Sequence, residues 1–283
     1  MTGEVLCEIN DKVAKVTINR AAKMNSMNQP FMAELSGVLR ELDDNNDVSV
    51  IILTADGPHF GAGYDLKYNW VETYGRGPMG TRKMLKDCAD FEYGPWDCSK
   101  PVIAMVRGYC LAGSCELAMM CCITYASEEA MFGEPEIRFS TAPPAVIMPW
   151  IIGLKRTREL LYTGNLIDAA EAKRLNLVNE VVPADELDAA VERQALTIAK
   201  LPAVTVEYNK KLINMSYELM GVRQVVERSM ELEAVALASK ESSPEIDEFN
   251  EIRAKDGLKA ALSWNAARFT EEDAWFKKSR DRG

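Results

Sequence analysis

The sequence predicts an α/β fold, and three of its features carry that prediction. Short β-branched runs alternate with helical stretches between residues 13 and 137, the order expected when helices cover a largely parallel sheet. Two of the runs, residues 48–54 (V-S-V-I-I-L-T) and 102–106, are too apolar for strands with one solvent-facing side, as strands buried in a sheet are. From about residue 156 apolar residues recur at helical spacing instead.

Taken in order, residues 13–18 (Val-Ala-Lys-Val-Thr-Ile) read as a first strand. Asn28 and Pro30 then give a start to an amphipathic helix whose apolar positions are Phe31, Leu35, Val38, Leu39 and Leu42. After the strand at 48–54 comes a glycine-bearing loop, residues 57–66. Residues 68–99 are mixed, and Gly75, Gly77, Pro78 and Gly80 mark a loop able to move. The strand at 102–106 leads into residues 109–120, a turn feeding a helix, and a further strand-like piece ends in Phe132-Gly133-Glu134-Pro135-Glu136-Ile137. Beyond 156, Asp168 is placed to cap a new helix, and between 185 and 240 only Pro202 and Gly221 interrupt the helical pattern. Ser242-Ser243-Pro244 breaks it, and 245–280 form a charged, partly helical tail.

Composition narrows the chemistry. The chain has 283 residues and a formal net charge of −10, which disfavours a nucleic-acid partner or an anionic membrane. It has one histidine, His59, so a metal site built on two or three imidazoles is excluded and no metal is expected. Any Ser–His–Asp or Cys–His mechanism would have to use that single ring. The 43 carboxylates remain for acid–base work. The seven cysteines include no C-x-x-C pair, and Cys121 and Cys122 lie in an apolar run as small hydrophobes. An acidic residue by position 4 and no long apolar run argue against a signal peptide or a membrane span, so a reducing cytoplasm is the expected location.

Two acids stand out. Glu116 sits against Leu117-Ala118-Met119-Met120-Cys121-Cys122, where a carboxylate is costly to ionise. It reads either as a helix N-terminal acid on the positive end of the dipole or as a buried acid raised toward neutrality and fit to exchange protons. Glu136 follows Pro135 in a rigid turn and reads either as a solvated loop acid or as the second member of an acid–base pair. The loops 62–65 and 112–114 each place glycine after a buried strand. Each is a tight turn at least, and two such amides aimed at one oxygen would form an oxyanion hole. His59 reads as a surface loop residue, and Asp43-Asp44-Asn45-Asn46-Asp47 as a solvated helix end rather than a cation loop.

Together, Asn19-Arg20, Asn25-Ser26-Met27, Phe60-Gly61-Ala62-Gly63-Tyr64-Asp65-Leu66, Gly108-Tyr109-Cys110-Leu111-Ala112-Gly113-Ser114-Cys115-Glu116-Leu117-Ala118-Met119 and Phe132-Gly133-Glu134-Pro135-Glu136 resemble the enoyl-CoA hydratase/isomerase family, the crotonases, over about residues 5–205. The resemblance implies a spiral of repeated ββα units (1–200) followed by a helical region (201–283) used for trimerisation, giving a homotrimer or homohexamer. It implies an acyl-CoA substrate, a hydro-lyase reaction adding water across a 2,3 double bond, and a place in fatty acid metabolism. Coenzyme A is then part of the substrate, and no separate cofactor is needed. The backbone N–H groups of Tyr64 and Gly113 match the family's oxyanion hole, and Glu116 and Glu136 its two hydratase glutamates. Lys23 and Met24 with Ala62, Gly63, Asp65, Leu66 and Lys67 match segments that cradle CoA.

Two departures bear on the reaction. Ala112-Gly113-Ser114 stands where the family shows a glycine run, and Pro144 stands where a glycine is expected. Pro144 has no N–H, so an amide able to help hold the water is expected to be missing. Other reactions of the family, isomerisation of an enoyl-CoA or hydrolysis of a β-keto acyl-CoA, are the alternatives. A non-catalytic CoA-thioester-binding subunit is a further one. Tyr64, Tyr68, Trp70, Trp96 and Trp150 are either pocket lining or core.

Overall fold

A computed structural model describes residues 3–238 and 244–280. Its strands are β1 (Val5–Asn10), β2 (Val13–Ile18), β3 (Val50–Ala55), β4 (Val102–Val106), β5 (Tyr109–Leu111), β6 (Ile123–Ser127), β7 (Met131–Gly133), β8 (Ile167–Asp168) and β9 (Glu180–Val182). The helices up to the last strand of the second sheet are α1 (Gln29–Asp44), α2 (Trp70–Tyr74), α3 (Gly77–Glu92), α4 (Gly94–Asp97), α5 (Gly113–Met119), α6 (Met148–Ile152) and α7 (Leu154–Thr163). The rest are α8 (Ala169–Arg174), α9 (Leu187–Ala199), α10 (Ala203–Leu219), α11 (Val222–Ala238), α12 (Pro244–Asp256), α13 (Leu258–Ala267) and α14 (Thr270–Arg280).

Six strands form one sheet in the order β1-β2-β3-β4-β6-β9, and β5-β7-β8 form a second. In the large sheet only the β1–β2 pair is antiparallel. The largely apolar character of β3 and β4 follows from their two covered faces. Ile51, Leu53, Val102 and Ala104 face the main core with α1 and α3. Val50, Ile52, Ile103 and Met105 face Leu187, Val191 and Ala195 of α9.

The start of α1 follows its sequence signal: Asn28 Oδ1 accepts the Phe31 N–H at 3.1 Å, and Phe31, Leu35, Leu39 and Leu42 are buried. Asp168 caps α8 in the same way, accepting the Glu171 N–H at 2.8 Å. Asp43 is the last-but-one residue of α1 and accepts the Ser99 N–H and hydroxyl, so this acidic stretch does close a helix.

The sequence reading needs correction in four places. The stretch marked by Gly75, Gly77, Pro78 and Gly80 is mostly not a loop, because α2 ends at Tyr74 and α3 begins at Gly77, and with α4 these helices occupy most of 68–99. Pro78 falls in the first turn of α3, where its missing N–H costs nothing, and Leu85, Cys88, Ala89 and Phe91 then bury one helical face. The strand β1 has no counterpart in the sequence reading, since all but its first residue are exposed and it lacks an alternating pattern. Asp11 and Lys12, both at positive φ, turn it into β2. The region after 156 is not purely helical, because β8 and β9 interrupt it. The stretch 245–280 is helical nearly throughout, in α12, α13 and α14. Ser242 and Ser243 lie outside the described residues.

The last helix docks back on the core. Arg138 holds both carboxylate oxygens of Asp273 in α14, at 2.6 and 3.0 Å. The same guanidinium donates to the Thr163 carbonyl and to Asn165 Oδ1, each at 2.9 Å. No helix among the described residues is long and apolar enough to cross a membrane, and the seven cysteines are free thiols.

Candidate active site

The small sheet assembles the site. β5 and β7 are parallel neighbours with Leu111 opposite Gly133, and the Ala112 N–H donates to the Gly133 carbonyl at 2.9 Å. The segments leaving these strands, 112–116 and 134–136, therefore begin side by side. The loop 60–66 is stitched to the same place, for Gly61 bridges to Cys110 and Tyr64 to Met27. Ser114, at a position the resemblance would fill with glycine, ties the two loops together by accepting the Gly63 N–H at 3.1 Å.

This closeness requires glycine at 113. A Cβ there would lie 2.5 Å from the Tyr64 ring, 2.9 Å from Glu92 Oε1 and 2.9 Å from the Met27 methyl. Ala112, before it, is forced to φ 55° and ψ −140°, a region costly for any residue with a Cβ.

Among the described residues, neither the Tyr64 N–H nor the Gly113 N–H has an acceptor. Gly113 opens α5, where amides have no partner within the helix. At Tyr64 the bonds of the bridge to Met27 are made by the Gly63 carbonyl and the Asp65 N–H. Unpaired amides are rare, and two on adjoining loops suit a developing oxyanion.

Glu116, in the first turn of α5, is both a helix N-terminal acid and a buried one, so its two sequence readings are compatible. Glu136 lies in a 3-10 turn, Pro135–Phe139, and is also buried rather than solvated. Glu134 joins them, and the three bring one carboxyl oxygen each within 4.8 Å of one another. That spacing also admits a cation. The pocket beside Glu116 and Glu134, however, is otherwise lined by apolar side chains such as Met119, Ile147, Met148 and Leu161, and a hard cation needs more oxygens than these.

Glu116 Oε1 accepts the Ala145 N–H at 2.7 Å. The amide one residue after Pro144 is thus directed at the carboxyl of Glu116. A fourth acid, Glu92 at the end of α3, is fully buried and accepts the Tyr64 hydroxyl.

Burial is the main force on the protonation of these groups. It pushes Glu116 well above the ordinary carboxyl range, reinforced by the charges of Glu92, Glu134 and Glu136 and opposed by the Ala145 amide. Glu134 and Glu92 are also raised, again by burial first. Glu136 is pushed up to about 8 by burial, with hydrogen bonds from its own backbone and Glu134 opposing. The group as a whole therefore holds protons at neutral pH.

The segments expected to cradle CoA also meet. The Ala62 N–H donates to the Met24 carbonyl at 3.1 Å, and Met24, Lys23, Leu66 and Lys67 are exposed. The Asp65 carboxylate is engaged by the Lys67 N–H at 2.9 Å and approaches Arg20 at 3.6 Å. Tyr64 and Tyr68 both meet the Trp70 ring edge to face, beside this loop. Trp96 instead bonds Glu218 and packs on Tyr217 in α10, and Trp150 packs against the core from α6. His59 stacks on Tyr109 and accepts its N–H at 3.2 Å, a packing role. A separate cavity of about 720 Å³ is lined by Pro135, Arg138 and Phe139 with Leu262 and Phe276, not by the glutamates.

Sequence reasoning misses Glu92 and Glu134. Glu134 is inside the quoted turn but follows a glycine, with no helix or strand pattern to show it buried. Glu92 has a signal, since it lies four residues after Cys88 and seven after Leu85 on the apolar face of α3, but it falls in the stretch 68–99 that reads as mixed.

Residues 8–256 match the sequence profile of the family described as enoyl-CoA hydratase/isomerase. A probable enoyl-CoA hydratase of Mycobacterium bovis is 35% identical over 76% of this chain and 82% of its own length. A crotonyl-CoA hydratase of Syntrophomonas wolfei is 32% identical over 82% of this chain and 87% of its own. The crystal structure of an enoyl-CoA hydratase/isomerase from Xanthobacter autotrophicus Py2 superposes with a TM-score of 0.90 at 34% identity, covering 95% of this chain and 99% of that one. The spiral α/β core with its C-terminal helices is the crotonase fold, and the chain belongs to the enoyl-CoA hydratase/isomerase family.

Proposed function

We propose that the protein is an enoyl-CoA hydratase that adds water across the 2,3 double bond of an acyl-CoA thioester. The observation that carries this reading is the pair of unengaged amides, Tyr64 N–H and Gly113 N–H, together with the cluster of buried acids that includes Glu116 three residues after Gly113. As water attacks C3, negative charge grows on the thioester oxygen, and the two amides would receive it. Losing one such donor typically costs roughly 3–4 kcal/mol in activation free energy.

The acids divide the proton work. Glu136, pushed up to about 8, is protonated at neutral pH and would deliver the proton to C2. Glu116, oriented by the Ala145 amide and made more basic by its burial, would take the proton from the attacking water. CoA would lie along residues 23–24 and 62–67, held mainly by backbone. The thioester supplies its own activation, so this chemistry asks for no further cofactor.

We further infer self-association as a homotrimer or homohexamer. Val204, Tyr208, Leu212, Met215 and Leu219 of α10 are exposed apolar side chains, which suits burial against another copy. The free thiols fit a reducing cytoplasm.

Following the loss of conjugated absorbance with crotonyl-CoA tests the reaction. Turnover is expected in the wild type, with Glu116→Gln and Glu136→Gln each lowering kcat by roughly 100-fold or more while the thioester still binds. No loss of absorbance in the wild type, across straight, branched and ring-bearing enoyl-CoAs, would overturn hydration. Sizing in solution tests the oligomer.

A further inference from the structure

On α11, Val226, Met230 and Ala234 bury one face against the core, and Glu233 is buried on that same face. A carboxyl among such neighbours is costly unless its oxygens are used. One of them is used twice: Oε1 accepts the Thr141 hydroxyl at 2.7 Å and the Ala142 N–H at 3.1 Å. Glu227 and Glu231 on the same helix are exposed, and Glu231 pairs with Arg82 instead.

Glu233 holds the start of a stiff connection between the two acids assigned to the proton work. The Thr141 N–H donates to the Glu136 carbonyl at 3.2 Å. Ala142, Pro143, Pro144 and Ala145 follow, and the Ala145 N–H ends the run on Glu116 Oε1 at 2.7 Å. Each proline fixes its own φ at about −65° and disfavours helical backbone at the residue before it. The run from Ala142 to Ala145 therefore bends little, and fixing the first amide sets where the second points. Pro143 and Ala145 also line the pocket beside Glu116 and Glu134, so the same run walls the site.

We propose that Glu233 is a positioning residue for hydration: from α11 it grips one end of the diproline run, which carries that grip to the Ala145 amide orienting Glu116. The inference rests on the hydratase reading, because Glu116 is the acid assigned there to activate water. The charge of Glu233 also bears on Glu136, which it pushes up. Glu233→Gln separates the two effects, since it removes the charge and keeps an oxygen able to accept both bonds.

The test is steady-state kinetics with crotonyl-CoA on Glu233→Ala, Glu233→Gln and Glu116→Gln, and on Glu233→Ala combined with Glu116→Gln. Glu233→Ala is expected to lower kcat by roughly tenfold or more with KM within about threefold of the wild type, and Glu233→Gln to recover most of that loss. With Glu116→Gln already in place the acid to be oriented is gone, so adding Glu233→Ala is expected to cost less than about twofold. An unchanged kcat in Glu233→Ala, equal losses in the two backgrounds, or a Glu233→Gln no better than Glu233→Ala overturns this inference alone. Should Glu233→Ala fail to fold, Thr141→Val removes one of the two bonds with little change of shape. It is expected to lower kcat by roughly threefold, and only where Glu116 is present; no loss there overturns the inference. A wild type that hydrates no enoyl-CoA overturns the hydratase reading instead. In that case hydrogen exchange at the Ala145 amide, read by NMR on alanine-labelled protein, decides the grip. The Ala145 amide keeps its own acceptor in Glu233→Ala and in Thr141→Val, so faster exchange there supports the connection and unchanged exchange overturns it.

Discussion

The backbone N–H of Ala145 donates to Glu116 Oε1 at 2.7 Å, immediately after two consecutive prolines. Pro143 and Pro144 cannot donate, so after Ala142 the loop 141–147 presents its next amide at Ala145. The loop is pinned at its start as well, for Glu233 accepts the Thr141 hydroxyl at 2.7 Å and the Ala142 N–H at 3.1 Å.

Ala145→Pro deletes that donor and leaves a buried carboxylate oxygen unpaired. A hydrogen bond to a charged group is worth about 1.5–3 kcal/mol, so kcat/KM for crotonyl-CoA is expected to fall by roughly 10- to 100-fold. Steady-state kinetics on a variant shown to be folded by circular dichroism checks it. Unchanged kinetics would mean that Glu116 does not depend on this amide.

Gly113→Ala places a methyl 2.5 Å from the Tyr64 ring, so the ring or the amide must move. Misplacing an oxyanion donor costs roughly 100-fold or more in kcat. Kinetics together with calorimetric titration of a CoA thioester should show turnover lost well before binding.

Ala112→Gly should do the opposite for stability. Ala112 sits at φ 55° with ψ −140°, where only glycine rests without strain, and relieving that strain contributes about 1 kcal/mol or more. A Tm increase of about 2 °C or more is expected from scanning calorimetry for a chain of this size.

Stability should also fall as pH rises. Glu136 has a folded pKa of about 8 against an ordinary value of 4.5. A carboxyl raised on folding stabilises the fold fully below its unfolded value and loses that contribution as pH climbs through the folded one. Between about pH 4.5 and 8 the unfolding free energy should therefore decline, by up to about 1.4 kcal/mol per pH unit for a single proton. Glu136→Gln cannot ionise, so denaturant titrations at pH 5, 6, 7 and 8 should give it a flatter decline than the wild type.

How much of this was legible in the sequence depended on whether a residue's surroundings came from its own segment. The helix from Gln29 was readable because Asn28, Pro30 and the spacing of Phe31, Leu35 and Leu39 are local signals. β3 and β4 were readable because two covered faces leave no polar position but Thr54. Glu116 carried its apolar neighbours beside it in the chain. Glu92 and Glu134 did not: their burial comes from partners far away in sequence, such as Tyr64 and Cys115. The edge strand β1 was silent because exposure on an edge imposes no pattern, and its pairing with β2 is made by backbone. The Ala145 amide was beyond reach as well, since only coordinates show which N–H a carboxylate finds.

The grip of Arg138 on Asp273 spans 135 positions of the chain. Arg138 shares its short 3-10 turn with Glu136, and a forked guanidinium–carboxylate pair is directional as well as strong. The α14 helix thus acts as a remote brace on one of the two acids proposed to carry the proton work. Prying α14 loose, whether by a bulky fusion or a protease cut ahead of Asp273, would leave every strand paired and yet let that acid wander. Lost turnover after such handling would then signal a slackened brace rather than a collapsed protein.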